Sequence, residues 1–405
     1  MSYTVGNAMF SSFIKHTREC CLVLDISSGS IGVGITTPTL TNDNDTDSLV
    51  WKHREYILGK NTELSQEEIV RRLNASILNT VMKLSSDGLK VLYEKYPKAQ
   101  LVSMLVSLRA PWVISTSRRI HYKSDDKPFL IDQKLVKKLT NIGEEKVKQI
   151  IKSETKNLHE IIFKEIIHQA VQGYPVENVL HRKATSILIV QLTALAGQAT
   201  VDTVTECHQK LFPSTELYIN PLMYHLYKIV KKQNPPQFEA VIIDVNDTTS
   251  EIGFIRDGVL LRTNYISFGI HNLIQALAKT CSCTYDEAMA QISDSNSEPL
   301  SKRHPEQLKG VEKVQGEYTE ELKLLFTESH DELTIPRSIY LHAEPKYTSY
   351  LKDIIKSASV SFSKTEHTVH NVINNELVRK NRARTDDYTL DLLANNWHET
   401  KVGHD

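Results

Sequence analysis

Apolar residues in this chain fall into two kinds of segment. Short runs of strand length end in turn residues, and longer stretches carry their apolar positions at helical spacing. Cys21 to Ile35 holds two apolar runs around Asp25-Ile26-Ser27-Ser28-Gly29-Ser30, which predicts a strand, a turn and a returning strand. The polar run Thr41 to Asp47 predicts a loop, and Ser48 to Leu58 a further strand. Ser65-Gln66-Glu67-Glu68 has the form of a capping box, and Ile69, Leu73, Ile77, Val81 and Leu84 follow at helical spacing. An amphipathic helix is expected from about Gln66 to Leu84.

Ala99 to Leu108 reads as a strand leading through Pro111 into extended Trp112 to Thr116, where β-branched residues alternate. Long charged helices are expected over Leu135 to Ala170, then a strand at Ser186 to Leu195 and a helix from Ala199 to Leu211. A helix from Pro221 to Lys232 must end before Pro235-Pro236, because proline removes a backbone donor and restricts the residue before it. Beyond that break, Ala240 to Ile266 predicts a strand and hairpin. Helices at Ile270 to Thr280 and Gly310 to Phe326 follow, with a polar loop between them at Ser293 to Glu306. Glu376 to Asp405 is polar apart from Leu390, Leu392 and Leu393 and reads as a loosely attached tail.

The strand-to-turn pattern occurs twice. Leu22-Val23-Leu24-Asp25 runs into Ser27-Ser28-Gly29-Ser30, and Val241-Ile242-Ile243-Asp244 into Asn246-Asp247-Thr248-Thr249. Small residues let backbone N–H groups approach phosphate oxygens, hydroxyls donate further hydrogen bonds, and a strand-end aspartate can orient hydrated Mg²⁺. Taken alone, either turn is equally an ordinary hairpin turn capped by its own Asp and Ser side chains. Two of them far apart in sequence suggest two halves facing one nucleotide. Gly29, Gly32 and Gly34 are not a dinucleotide-binding fingerprint, because they lie in a strand, turn and strand with no helix directly after.

Composition narrows the class without naming a function. The chain has 405 residues, 40% of them hydrophobic and 24% charged, with a net charge of −1. This points to a soluble globular protein of roughly two to four domains at about 100–200 residues each. Scattered Lys and Arg residues give no nucleic-acid footprint. The longest apolar run, Ile187 to Ala196, falls short of the roughly 18 residues needed to cross a bilayer, so direct membrane insertion is not expected. The start lacks a signal-peptide h-region, and the expected location is cytoplasmic. Cys20, Cys21, Cys207, Cys281 and Cys283 lack zinc spacing and read as free thiols. His168, His181 and His208 likewise show no ligand spacing.

The two turns, with Ser338-Ile339-Tyr340-Leu341-His342-Ala343-Glu344-Pro345 third in order, resemble the actin-like ATPase superfamily. Within it they are most similar to the bacterial branch of the pilus-assembly protein PilM and the cell-division protein FtsA. The resemblance implies a bilobed α/β fold, a duplicated ribonuclease H-like unit carrying an inserted SHS2-like α+β subdomain. The units are residues 1–98 (first half), 99–213 (insertion), 214–375 (second half) and 376–405 (tail). It also implies ATP and Mg²⁺ as cofactors. Asp25 and Asp244 would take the catalytic and metal-orienting roles. Ser27, Ser28, Gly29 and Ser30 would hold phosphate from one side and Asn246, Asp247, Thr248 and Thr249 from the other, with Ala343 and Glu344 at the adenosine turn.

Two departures qualify the site. The family usually has glycine after the second aspartate, where this chain has Asn246-Asp247, and its adenosine turn is glycine-rich, where this chain has His342-Ala343-Glu344-Pro345. Side chains at such positions narrow a pocket, and Asp247 adds negative charge beside a phosphate. The expected function is a scaffold coupling nucleotide state to assembly of a membrane-associated machine, a type IV pilus before a division apparatus. Its expected partners are proteins, including the cytoplasmic tail of an inner-membrane protein, or further copies of itself. The alternative is a nucleotide-free adaptor acting through protein contacts alone. A small-molecule kinase of the same superfamily is disfavoured, because no second-substrate motif supplies a catalytic base.

Overall fold

The computed structural model describes residues 18–37, 49–57, 66–124, 127–154, 159–293, 305–328, 335–360, 367–372 and 387–402. The 41–47 loop, the capping Ser65 and most of the polar stretch after Ser293 lie outside them.

The first half is built on β1 (Arg18–Ile26), β2 (Ser30–Thr36) and β3 (Leu49–Tyr56). Next come α1 (Gln66–Lys83), a π-helical turn at Leu84–Gly88, α2 (Leu89–Lys95) and β4 (Ala99–Leu108). β1 pairs antiparallel with β2 and parallel with β4. A parallel neighbour demands a crossover, and the helices supply it. Leu73, Ile77, Val81 and Leu84, the predicted apolar stripe, are fully buried with this sheet. Because β1 lies inside its sheet, its burial from Cys20 to Ile26 is continuous rather than alternating, and its apolar run extends from Cys20 to Leu24.

An inserted unit follows. It contains β5 (Val113–Lys123), β6 (Phe129–Leu130), α3 (Gln133–Glu154), β7 (His159–Val171), β8 (Tyr174–Pro175), β9 (Lys183–Ala184) and β10 (Ser186–Gly197). The chain then returns through α4 (Gln198–Leu211), β11 (Glu216–Pro221) and α5 (Leu222–Gln233). β11 pairs parallel with β4, giving the order β11-β4-β1-β2-β3. β4 thus lies beside β1, and the next strand, β5, begins at Val113.

The second half repeats the plan. It has β12 (Ala240–Val245), β13 (Ser250–Arg256), β14 (Val259–Ile266), α6 (Ile270–Thr280), α7 (Tyr285–Ser293) and α8 (Pro305–Glu328). β15 (Ser338–His342), α9 (Thr348–Val360), β16 (Thr368–Asn371) and finally α10 (Tyr388–Val402) complete it. β12 pairs antiparallel with β13 and parallel with β15, as β1 does with β2 and β4. β14 and β5 join at Arg262 and Thr116, so one nine-stranded sheet runs β16-β15-β12-β13-β14-β5-β10-β7-β8.

Two expectations are corrected. The helical reading of Leu135 to Ala170 holds only as far as Glu154, because His159–Val171 is β7. Its register against β10 skips Ile162 and Ile167, where β-bulges each insert one residue. Two insertions turn a period of two into apolar pairs, Ile161-Ile162 and Ile166-Ile167, spaced like helix turns. Second, the C-terminal stretch is no loose tail: Leu390, Leu392, Leu393 and Ala394 of α10 are all fully buried with β1, β2 and α5.

A cleft closed by its own side chains

Asp25 and Asp244 occupy matching places, each next to the last residue of a central strand, and both are fully buried. Each strand ends in the same turn. Ser27 N donates to Ser30 O at 3.0 Å, and Asn246 N donates to Thr249 O at 3.0 Å. The second turn manages without a glycine of its own because Gly269 lies against it. A Cβ there would fall 2.3 Å from Asn246 O and 2.6 Å from Thr249 N. The helix it opens returns two bonds to the turn, Ile270 N to Asn246 O at 2.9 Å and His271 N to Asp247 O at 2.7 Å.

The structure brings the two turns into direct contact. Ser27 Oγ donates to Asp247 Oδ2 at 2.8 Å, and Ser30 Oγ donates to the same oxygen at 3.0 Å. Ser28 Oγ donates to Asn246 Oδ1 and accepts from the Thr248 backbone N–H at 2.8 Å. Thr249 Oγ1 reaches the Ala110 carbonyl at 2.9 Å. The hydroxyls of one turn and an N–H of the other, the groups suited to phosphate oxygens, are therefore bonded to each other. The Asp247 carboxylate takes the hydrogen bonds a phosphate would need. Gly29 contributes only its carbonyl, which accepts from Ile57 N at 2.9 Å.

Two arginines that the turn motifs did not reveal complete the cleft. Arg109, just past β4, donates to both oxygens of Asp25 at 3.0 and 3.2 Å, reaches Thr389 at 2.5 Å and stands 3.7 Å from Asp244. Arg54 of β3 donates to Asp25 at 2.9 Å and to Ser30 at 3.0 Å, and forms a two-pronged pair with Asp387 at 2.6 and 2.9 Å. Gly32 makes room for it, since a Cβ at that position would fall 2.4 Å from Arg54 Nη2. His342 Nδ1–H donates to Asp244 Oδ1 at 2.7 Å, and the ring stacks on Tyr388.

Burial opposes the charge on Arg54, yet Asp25 and Asp387 hold its pKa well above the ordinary value. Arg109 is held up in the same way by Asp25 and Asp244. For Asp244 burial raises the pKa, but Arg109 and the His342 hydrogen bond outweigh it and leave the carboxyl below its usual range. The residual charges are therefore paired inside the protein.

Mg²⁺ does not fit this arrangement. Both Asp25 oxygens already accept from guanidinium groups, and a divalent ion between Asp25 and Asp244 would sit against Arg109. Asp244 Oδ2 has no partner, but it is enclosed by protein. A cavity of about 610 Å³ opens directly on these contacts, lined by Ser27, Ser30, Arg54, Arg109, Asn246 and Asp247 together with Tyr56, His342, Ala343, Glu344 and Tyr347. Glu344 pairs with Lys346 at 2.9 Å at its exposed mouth.

Glu251, paired across the sheet with Asp244 and 1% exposed, is pushed up to about 8 by burial and by that neighbour. The unfolded chain releases this proton near 4.5, whereas the folded chain keeps it to about 8. Between those values the native state binds more protons, so the contribution of Glu251 to stability is full below 4.5 and falls as pH rises towards 8. Glu251→Gln is expected to stabilise the protein more at pH 8 than at pH 5, measured as the difference between the variant's and the parent's urea midpoints. An equal difference at both pH values would refute the assignment.

Of the predicted site residues, Ser27, Ser28, Ser30, Asn246, Asp247 and Thr248 meet in one network. Asp25 and Asp244 are linked through Arg109. Arg109 carried one sequence signal, a lone charge directly after an apolar strand. Asp387 and Thr389 carried none.

No protein-family model and no curated protein matches this sequence. Solved structures do. The "PilM-PilN type IV pilus biogenesis complex" is 11% identical with a TM-score of 0.53, over 94% of this chain and 98% of that one. A Bacteroides thetaiotaomicron protein with an actin-like ATPase fold and unknown function is 10% identical with a TM-score of 0.44, over 95% and 99%. The fold of this chain is that of the actin-like ATPases, with a likeness to PilM over nearly its whole length.

Proposed function

We propose that this chain is an actin-like scaffold of the PilM type that acts through protein contacts, its cleft held shut by its own side chains in place of a nucleotide. One observation carries this reading: Ser27, Ser28 and Ser30 bond directly to Asn246, Asp247 and Thr248 across the cleft. The likeness to the PilM-PilN complex supports a role beside a membrane assembly, with a membrane protein's tail or a further copy of the chain as partner. Among the described residues no helix is long and apolar enough to cross a membrane, consistent with attachment through a partner.

A nucleotide-binding scaffold is the second reading, favoured by the cavity beside Ala343 and Glu344. Thermal unfolding with millimolar ATP and Mg²⁺ separates the two. A ligand at about 100 times its Kd stabilises a fold by about 2.7 kcal/mol, a readily measured rise in Tm. The locked cleft predicts no shift for the parent protein and no heat in a calorimetric titration. A saturable shift that Ser27→Ala and Thr248→Pro reduce would establish the nucleotide-dependent scaffold instead.

A further inference from the structure

The outer face of α3 carries charge that folding does not require. Its inner face, Leu139, Gly143 and Val147, is buried on the sheet of the insertion, with Gly143 set against Ile120 and Gln191. The opposite face presents Lys134, Lys137, Lys138, Asn141, Glu145 and Lys148, all exposed. Of these acids and bases only Glu145 and Lys148 pair with each other, at 3.3 Å; Lys134, Lys137 and Lys138 have no ion pair among the described contacts. The three lie in the first two turns, after Asp132, which caps the helix by accepting from Leu135 N at 2.8 Å. The N-terminal end of a helix carries positive partial charge over its first turn, so Lys134 there opposes the helix dipole. Exposed Ile142, 39% accessible, lies at the edge of this face, and Leu130, 54% accessible, lies shortly before the helix in sequence.

We infer that this face of α3 is a docking surface for an anionic lipid bilayer. Charge complementarity selects the occupant. A row of lysines on a convex helix suits a broad sheet of negative charge, and the face has no arginine fork for two-pronged recognition of a carboxylate or phosphate. Exposed Ile142 offers apolar contact at the headgroup level without the span needed to cross. Such adsorption would hold the insertion against the membrane whatever occupies the cleft, so it stands independently of the function proposed above.

The test is flotation of the full-length protein with vesicles of phosphatidylglycerol and phosphatidylcholine, at low and physiological salt. A lysine near an anionic surface contributes about 1 kcal/mol, or roughly fivefold in affinity, so Lys134→Gln, Lys137→Gln and Lys138→Gln together are expected to weaken binding on the order of a hundredfold. Pure phosphatidylcholine vesicles are expected to leave the protein unbound. The triple variant should keep or slightly raise its Tm, because Lys134 opposed the helix dipole, and this separates loss of docking from loss of fold. Absence of binding to the anionic vesicles, or equal binding by parent and variant, would overturn the inference. Binding to polyglutamate but not to vesicles would overturn it too, and would make the partner an acidic protein.

Discussion

Arg109→Ala is expected to destabilise the protein by about 3–5 kcal/mol, the cost of leaving buried charge without its partner. The argument rests on position. Arg109 is the one group touching both Asp25 and Asp244 in the described contacts, and both carboxylates are fully buried. Its removal leaves Asp25 held only by Arg54, and Asp244 by His342 and the turn beside it. Against a typical domain stability of about 5–15 kcal/mol this is a large fraction. Urea unfolding followed by tryptophan fluorescence reads it, since Trp112 donates to Ser27 O at 2.8 Å beside the cleft. Pairing the change with Asp25→Asn removes one of the stranded charges, so the double variant should lose less than the sum of the two single losses. A loss below about 1 kcal/mol for Arg109→Ala would show the network to be dispensable.

Deletion of α10 from Asp387 onwards should be more damaging still. Leu390, Leu392 and Leu393 are each fully buried, and exposing their seats costs about 1.5–3 kcal/mol apiece. The same cut removes Asp387 from Arg54 and Thr389 from Arg109. Tyr388 stacks on His342 and donates to the Val372 carbonyl, both in the second half, while the leucines pack with the first. The helix is therefore a bolt across the halves, and the truncated chain is expected to be insoluble or to unfold well below the parent's Tm. A milder probe, Leu392→Ala, should cost about 2–5 kcal/mol. A soluble truncation with unchanged melting would mean that α10 is an accessory, and that the cleft contacts suffice.

Both variants bear on function, because they test whether closure is intrinsic. Arg54 and Arg109 stand beside Asp25 where a nucleotide-dependent relative would need hydrated metal, and Asp247 accepts the bonds a phosphate would take. Under the proposed reading, a scaffold closed in this way would present one shape to its partners. Regulation would then have to come from partner supply or from the membrane rather than from a hydrolysis cycle.

The sequence by itself determined the repeated plan. The central strands β1 and β12 were legible as apolar runs ending in aspartate, and α1 was legible from its stripe, because buried strands and amphipathic helices leave local periodicities. The departures at Asn246-Asp247 and His342-Ala343 were visible as missing glycines. Local pattern failed where tertiary context replaced it. Bulges at Ile162 and Ile167 disguised β7 as helix, and three leucines in a polar stretch gave no sign of the groove between β1, β2 and α5 that buries α10. The sequence also could not say that the two turns bond to one another, that Arg109 links Asp25 to Asp244, or that Arg54 links Asp25 to Asp387. Those contacts join residues up to 333 positions apart, and nothing local encodes them. Only the folded chain, by bringing β3, the end of β4 and the start of α10 to one point, joined the two turns expected to clamp phosphate into a network of paired charges.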